Sequence, residues 1–297
     1  MNSACTIDLP DNYRRNDFLD YHRRDALMVA ERVHGDTLVK GISWDNCPAC
    51  LTIRFFKQHA EAELSVEGSK CESGPDACKR LARRMLGLEQ KIDGFVQQHA
   101  KHPQLGWLVA QRPGLRVLLA ASPYEALTWA IIGQQISVRA AVSVRRRFIE
   151  LTGVRHSSGL WCYPDAERVS HLTETDLRGA GFSMSKARTI VELSRRIRQS
   201  QLVLHETLDE TSVVQVRSSL LRIRGIGPWT VNYTLLRGLG WLDGELHGDV
   251  AVRRGIQALL NSPEKLTEEQ ARTWLAPFTP WRALVAAHLW AMQSLNA

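Results

Sequence analysis

No run of apolar residues in this chain approaches the length of a membrane span, which argues against an integral membrane protein. The opening stretch, MNSACTIDLPDNYRRND, lacks the apolar core of an export signal, so a cytoplasmic, bacterial-type protein is expected. Internal repeats, low-complexity tracts and long linkers are missing too. Cysteine is sparse, at positions 5, 47, 50, 71, 78 and 162. Cys47-Pro-Ala-Cys50 could open a zinc site, but its candidate partners Cys71 and Cys78 are separated by six residues rather than two. Ordinary thiols and no metal are expected. Acidic residues are outnumbered: 38 Lys and Arg against 31 Asp and Glu leave a formal charge of +7, which suits a polyanionic partner.

What is present is an ordinary soluble composition, 44% hydrophobic and 23% charged, over 297 residues, enough for two or three domains and a sizeable core. The chain is organised around Leu221 to Arg254, LRIRGIGPWTVNYTLLRGLGWLDGELHGDVAVRR. This reads as helix, tight hairpin, helix, loop and the start of a third helix. Arg224-Gly225-Ile226-Gly227 is the hairpin; its two glycines permit backbone conformations that a Cβ would block. Pro228 suits the first position of the following helix. The bare N–H groups and the positive dipole end of that helix make an anion site. Asp249 follows Trp229 by twenty residues and is also a natural N-cap for a helix from Val250.

Residues 1–105 mix helix and strand. Phe18 to Val33 reads as a helix, and Thr37–Trp44, Cys50–Phe56 and Ala62–Val66 read as strands. Asp76–Leu86 and Glu89–His99 read as helices. Residues 106–297 read as helical throughout. Ser122-Pro123-Tyr124-Glu125 is a capping box opening Tyr124–Leu151. Thr173, Ser185 and Thr267 open three more helices, and Thr279-Pro280 opens the last, Trp281–Leu295. Arg139, Arg145, Arg146 and Arg147 are candidate phosphate contacts or a solvated face.

Gly225-Ile226-Gly227-Pro228-Trp229-Thr230-Val231-Asn232-Tyr233, followed by Leu236-Arg237-Gly238 and Asp249, resembles the signature of the helix-hairpin-helix superfamily of base-excision DNA glycosylases. Within it the resemblance is to the 3-methyladenine DNA glycosylase II type. It extends to Ile131-Ile132-Gly133-Gln134-Gln135-Ile136-Ser137, to Pro280-Trp281-Arg282 and to His288-Leu289-Trp290. It implies an α+β chain: a small antiparallel sheet with helices, like half of a TATA-binding fold, then a two-lobed all-α core with the helix-hairpin-helix at 213–239. The implied partner is double-stranded DNA with alkylated bases, met by a monomer at the nucleoid. No cofactor is required, and the resemblance leaves room for a monovalent cation on the carbonyls near Arg222–Gly227. The endonuclease III branch carries an iron–sulfur cluster on four cysteines beyond the catalytic region; none follows Cys162, which excludes it.

The resemblance also implies a chemistry. Cleaving a base from C1′ of deoxyribose passes through an oxocarbenium-like state that a fixed carboxylate stabilises. Asp249 matches that carboxylate. His247-Gly248 stands where relatives often carry Pro-Asp, so Asp243 and Glu245 are the fallback acids. Trp229 occupies the place of the lysine that other branches use as a Schiff-base nucleophile, implying a monofunctional, hydrolytic enzyme. Trp229, Tyr233, Trp290 and Phe18 are the implied walls of a pocket for a flipped base, Arg224 to Gly227 the DNA-binding hairpin, and Gln135 with Ile136 the minor-groove wedge. Lys186 would position backbone or contact phosphate. A non-catalytic helix-hairpin-helix DNA-binding protein and a bifunctional glycosylase/lyase are the alternatives.

Overall fold

The computed structural model describes residues 2–68, 74–204 and 209–293. A five-stranded antiparallel sheet comes first, in the order β1-β5-β4-β3-β2. Strand β1 (Asn2–Asp8) precedes helix α1 (Arg15–His22); β2 (Glu31–His34), β3 (Thr37–Trp44), β4 (Cys47–Phe55) and β5 (His59–Val66) follow. The β3–β4 loop is two residues, Asp45 and Asn46, both with positive φ, as a tight hairpin requires. The expected helix to Val33 stops at His22. Asp25 accepts from the backbone N–H groups of Leu27 and Val29, turning the chain, and Glu31 to His34 pair with β3 instead.

Helix α2 (Pro75–Met85) covers the sheet, closing a core around Phe18, Leu51, Ile53, Leu64 and Met85. Helices α3 (Asp93–His99) and α4 (Leu105–Gln111) lead to α5 (Pro123–Gly133), α6 (Val138–Leu151), α7 (Ala166–Ser170), α8 (Glu174–Gly179), α9 (Met184–Arg198), α10 (Glu210–Leu221) and α11 (Pro228–Leu239). Then come α12 (Val250–Leu259), α13 (Glu268–Leu275) and α14 (Arg282–Gln293). The helix expected over Tyr124–Leu151 is thus two helices. The break falls at Gln134–Ser137, where Gln135 has positive φ and Ser137 caps α6. Cys5, Cys50, Cys78 and Cys162 are free thiols, but Cys47 is disulfide-bonded, contrary to the expectation of ordinary thiols throughout; no three ligating groups come together among the described residues, and Cys71 lies outside them. Among the described residues no helix is long and apolar enough to cross a membrane.

Two helical cores share α11. Val231, Leu235 and Leu239 pack with α5, α6, α9 and α10, while Leu236 packs with α3, α4, α12 and α14. The sheet docks through the segment after α6. Tyr163 N donates to Gly41 O and Trp161 N to Val29 O. A Cβ on Gly41 would come within 2.2 Å of the Trp161 carbonyl, so the approach needs glycine.

A buried charge cluster lies in this interface. Lys40, fully buried, bonds Glu31 and Glu125, and Arg145 donates to the same two carboxylates at 2.9 and 3.1 Å. Burial alone would raise the Glu31 carboxyl; Arg145 and Lys40 overcome it and hold it well below the usual range. Arg145 is therefore no phosphate contact. Arg146 is bound to Asp25 at 2.5 Å, and Arg147, which is exposed, donates through Nε to Ala180 O and through Nη1 to Ser143 Oγ. Arg139 alone of the four is exposed with no hydrogen-bond or ion-pair partner among the described residues. Beside the cluster, burial lowers the His22 pKa against the opposing pull of Glu31. Burial, with Arg112 and Arg14, pushes His288 down to about 4.

A base held neutral in the fold with a depressed pKa contributes stability that is present above its unfolded value and lost as pH falls toward its folded value. Unfolding free energy should therefore be flat above about pH 6.5 and decline below it, by up to about 1.4 kcal/mol per pH unit for each such histidine. Urea denaturation at steps from pH 8 to 4.5 measures this. Constant stability between pH 7 and 5 would show that His22 and His288 are not carried neutral.

Candidate active site

Three chain segments converge on Asp249. It caps α12, accepting from Val252 N at 2.9 Å. Its other contacts are indoles. Trp229 Nε1, in the first turn of α11, donates to Oδ2 at 2.7 Å, and Trp290 Nε1, near the end of α14, donates to Oδ1 at 3.2 Å. The expected cap is present, and the same carboxylate is oriented by two rings. It remains half-buried. The loop that delivers it is fixed at Asn232, whose Nδ2 donates to Glu245 O while Oδ1 accepts from Arg217.

The fallback acids are otherwise engaged. Asp243 accepts from Arg282 Nε at 2.8 Å, Arg282 Nη2 at 2.9 Å and Thr279 at 2.7 Å. Glu245 accepts from Arg282 Nη1 at 2.8 Å. Both serve as partners that seat α14, whose Trp290 reaches the site.

An aromatic cluster extends from the carboxylate. Tyr233 lies 5.4 Å from Trp229 and 6.1 Å from Trp290, ring centroid to centroid. Burial raises the Tyr233 phenol pKa; Arg237, Arg24 and a hydrogen bond with Trp129 oppose it. Phe18 is not in this cluster. It is fully buried in the sheet core against Phe55, 5.4 Å away, because helix α1 turns that face inward. Tyr21, three residues on, stands at the site instead, with Arg24 and Arg237 over its ring. Tyr21, Arg24, Trp129 and Arg237 were not singled out for the pocket from sequence. The available signals were the one-turn spacing of Tyr21 from Phe18 and the arginine inside Leu236-Arg237-Gly238.

The hairpin and the turn at Gln134–Ser137 form one lip of the cleft. Gln134 Nε2 donates to Gly225 O at 3.0 Å and to Thr230 Oγ1 at 2.8 Å, bonding turn to hairpin. Lys186 Nζ donates to Ile132 O at 2.8 Å and Gln134 O at 2.7 Å, satisfying carbonyls at the end of α5. Its amine is a backbone-positioning group, and burial lowers its pKa. Held from below, Gln135 and Ile136 both project outward and are exposed. Arg224 is exposed and Ile226 is buried in the helical core.

The two hairpin glycines differ. Gly225 has φ +94, and a Cβ there would meet Thr189 Oγ1 at 2.2 Å. Gly227 is extended, with open space where its Cβ would go. The turn itself has room at 227, contrary to the sequence reading; only something approaching from outside would require a glycine. For a monovalent cation, the carbonyls of Ile223, Arg224, Gly225 and Gly227 already accept from Ile226 N, Thr189 Oγ1, Gln134 Nε2 and Val231 N. An ion there would share them.

Residues 128–279 match the family model for the HhH-GPD superfamily base excision DNA repair protein, and residues 7–122 match the AlkA N-terminal domain. A DNA-3-methyladenine glycosylase of Bacillus subtilis (strain 168) is 25% identical over 299 residues, 98% of this chain and 97% of the relative. Among solved structures, the 3-methyladenine DNA-glycosylase from Archaeoglobus fulgidus superposes with a TM-score of 0.81 at 21% identity, covering 98% of both chains. The Clostridium acetobutylicum 8-oxoguanine glycosylase/lyase in its apo form gives 0.72 at 15% identity, over 97% of this chain and 95% of that one.

The glycines supply a test. Gly225→Ala should cost about 1–3 kcal/mol of stability, from backbone strain and the clash with Thr189. Gly227→Ala should stay within about 0.5 kcal/mol of wild type. Equal losses in chemical denaturation would mean that the hairpin is not built on Gly225 alone.

Proposed function

The chain belongs to the HhH-GPD superfamily of base excision DNA repair proteins and is a DNA glycosylase, and we propose that it is a monofunctional one that flips alkylated purines out of duplex DNA and hydrolyses them from the sugar. The observation that carries this is the Asp249 carboxylate, fixed by two indole N–H groups beside the clustered rings of Trp229, Tyr233 and Trp290. A carboxylate so held can stabilise positive charge at C1′ without reorganising as that charge develops. It can also orient the attacking water.

Every named part has a use in this reading. The backbone N–H groups beside Gly227, at the start of α11, receive one phosphate with no regard to sequence. Gln135, with Ile136 beside it, enters the minor groove and fills the gap left by the extruded base. Bases alkylated at ring nitrogen, of the 3-methyladenine and 7-methylguanine type, leave readily, so electrostatic stabilisation and exposure suffice. The product is an abasic site. The protein works as a monomer in the cytoplasm, with its sheet domain within 1–105 and its catalytic core within 106–297. No resident cofactor enters the chemistry.

Trp229 argues against lyase chemistry. It bonds the carboxylate directly, so the position nearest the acid holds an indole, which offers no amine to attack C1′. Lys186 is tied to the carbonyls of Ile132 and Gln134. Borohydride added to protein and methylated duplex should trap no covalent adduct, and strands should break only after alkali. A trapped complex would overturn the monofunctional reading.

Asp249→Asn keeps size and a capping oxygen but removes the charge. Single-turnover base release should slow by about 10²-fold or more, while affinity for abasic-analogue duplex is retained. Chromatography of bases released from methylated DNA reads the first, and fluorescence anisotropy the second. Near-wild-type release by the variant would show that another group stabilises the sugar cation.

A further inference from the structure

The cluster beside Asp249 carries fixed positive charge as well as rings. Arg24, just beyond α1, holds its guanidinium 3.9 Å from the Tyr21 ring centroid and 5.0 Å from that of Trp129. Arg237 lies 5.1 Å from Tyr21 and 5.6 Å from Trp290. Trp129, Arg24, Tyr21, Arg237 and Trp290 therefore alternate ring and cation, ending at the indole that bonds Asp249.

The two arginines differ in what they have left to offer. Arg237 Nη1 donates to Leu118 O at 3.0 Å, and its Nε is buried without a hydrogen-bond partner. Arg24 Nε donates to Tyr21 O at 2.7 Å. Among the described residues neither terminal nitrogen of Arg24 has a hydrogen-bond partner, and its side chain is exposed. It is thus a stacked, oriented guanidinium with free donors, beside the ring cluster that runs to Asp249.

Such a group discriminates by charge. A ring face covered by a guanidinium is not open to a second cation, and fixed positive charges repel a cationic base. Guanidinium is donor-only, so its free N–H groups are satisfied by an acceptor: a carbonyl oxygen or an unprotonated ring nitrogen. We propose that Arg24, backed by Arg237, is a specificity-determining residue that shifts this pocket toward neutral damaged bases with an acceptor on the exposed edge, and away from cationic ones. The inference rests on the base-flipping glycosylase reading above and adds to its readily leaving alkylated purines a neutral lesion class that Arg24 helps to hold.

The test compares two duplexes, one with a single hypoxanthine, which is neutral, and one with a single 7-methylguanine, which is cationic. Cationic bases leave faster whatever the enzyme, so the quantity read is the ratio of single-turnover rates, hypoxanthine over 7-methylguanine, in each protein. Arg24→Ala should lower that ratio by roughly tenfold to a hundredfold, the scale of a charge-assisted hydrogen bond. Arg24→Lys keeps the charge but loses the planar fork; it should slow hypoxanthine release without speeding that of 7-methylguanine. Melting temperature and abasic-duplex affinity should hold for both variants, since Arg24 is exposed and no abasic site presents a base to it. An unchanged ratio overturns the proposal. Equal slowing on both lesions with weaker abasic-site binding also overturns it, making Arg24 a backbone contact. Wild-type release of 7-methylguanine but not of hypoxanthine defeats this inference and leaves the proposed function standing. Release of neither hypoxanthine nor 7-methylguanine defeats both.

Discussion

The cleft depends on one carboxylate doing two jobs at once. Asp249 ends the loop from Gly240 by capping α12, and the same oxygens fasten α11 and α14 through Trp229 and Trp290. Three helices that are distant in sequence are thereby registered on a single residue. Neither neutral cap nor free acid would do the same: the indole N–H groups orient the charge, and the charge fixes the indoles. The aromatic walls and the acid are thus one unit, so their relative geometry is set before any ligand arrives.

The opposite lip is organised differently, by backbone. Lys186 and Gln134 gather the carbonyls at the end of α5 and the hairpin into one bonded surface, with Thr189 closing on Arg224 O. This arrangement makes the break after Gly133 rigid rather than loose, and it explains why Gln135 tolerates a left-handed backbone. A turn bonded on its inner side can expose its outer side chains without fraying. The hairpin glycines divide their work by the same logic. Gly225 serves the fold through its contact with Thr189, whereas Gly227 leaves an empty face.

Much of this was legible in the sequence, and the misses have physical causes. Capping residues gave the helical core well: Ser122, Thr173 and Thr267 each accept the expected backbone N–H. Strand β3 was read to its ends because its apolar pattern and the Asp45-Asn46 turn agree. Helix α1 was read too long because residues 26–33 carry apolar residues that also suit a turn and a strand; long-range pairing with β3 decides between them. Phe18 and Tyr21 lie one turn apart on α1, and periodicity cannot say which faces the sheet and which the cleft. The arginines of α6 looked like a basic face because their partners Glu31, Asp25 and Glu125 come from elements far away in sequence. Local sequence reports residue type and spacing; it does not report the counter-ion that folding brings.

Position 248 shows the same limit at the site itself. A glycine next to Asp249 reads, along the chain, as an acid removed. In space the carboxylate of Glu268, at the start of α13, stands 3.9 Å from the point a Cβ on Gly248 would occupy. A carboxylate is therefore still present beside the loop, contributed by a different helix, and a Cβ at 248 would make ordinary contact with it. Glycine at this position is thus compatible with the approach of α13 to the loop that carries Asp249. The count of acids near the cleft follows from the packing of α12 against α13, and not from the two residues that precede the aspartate.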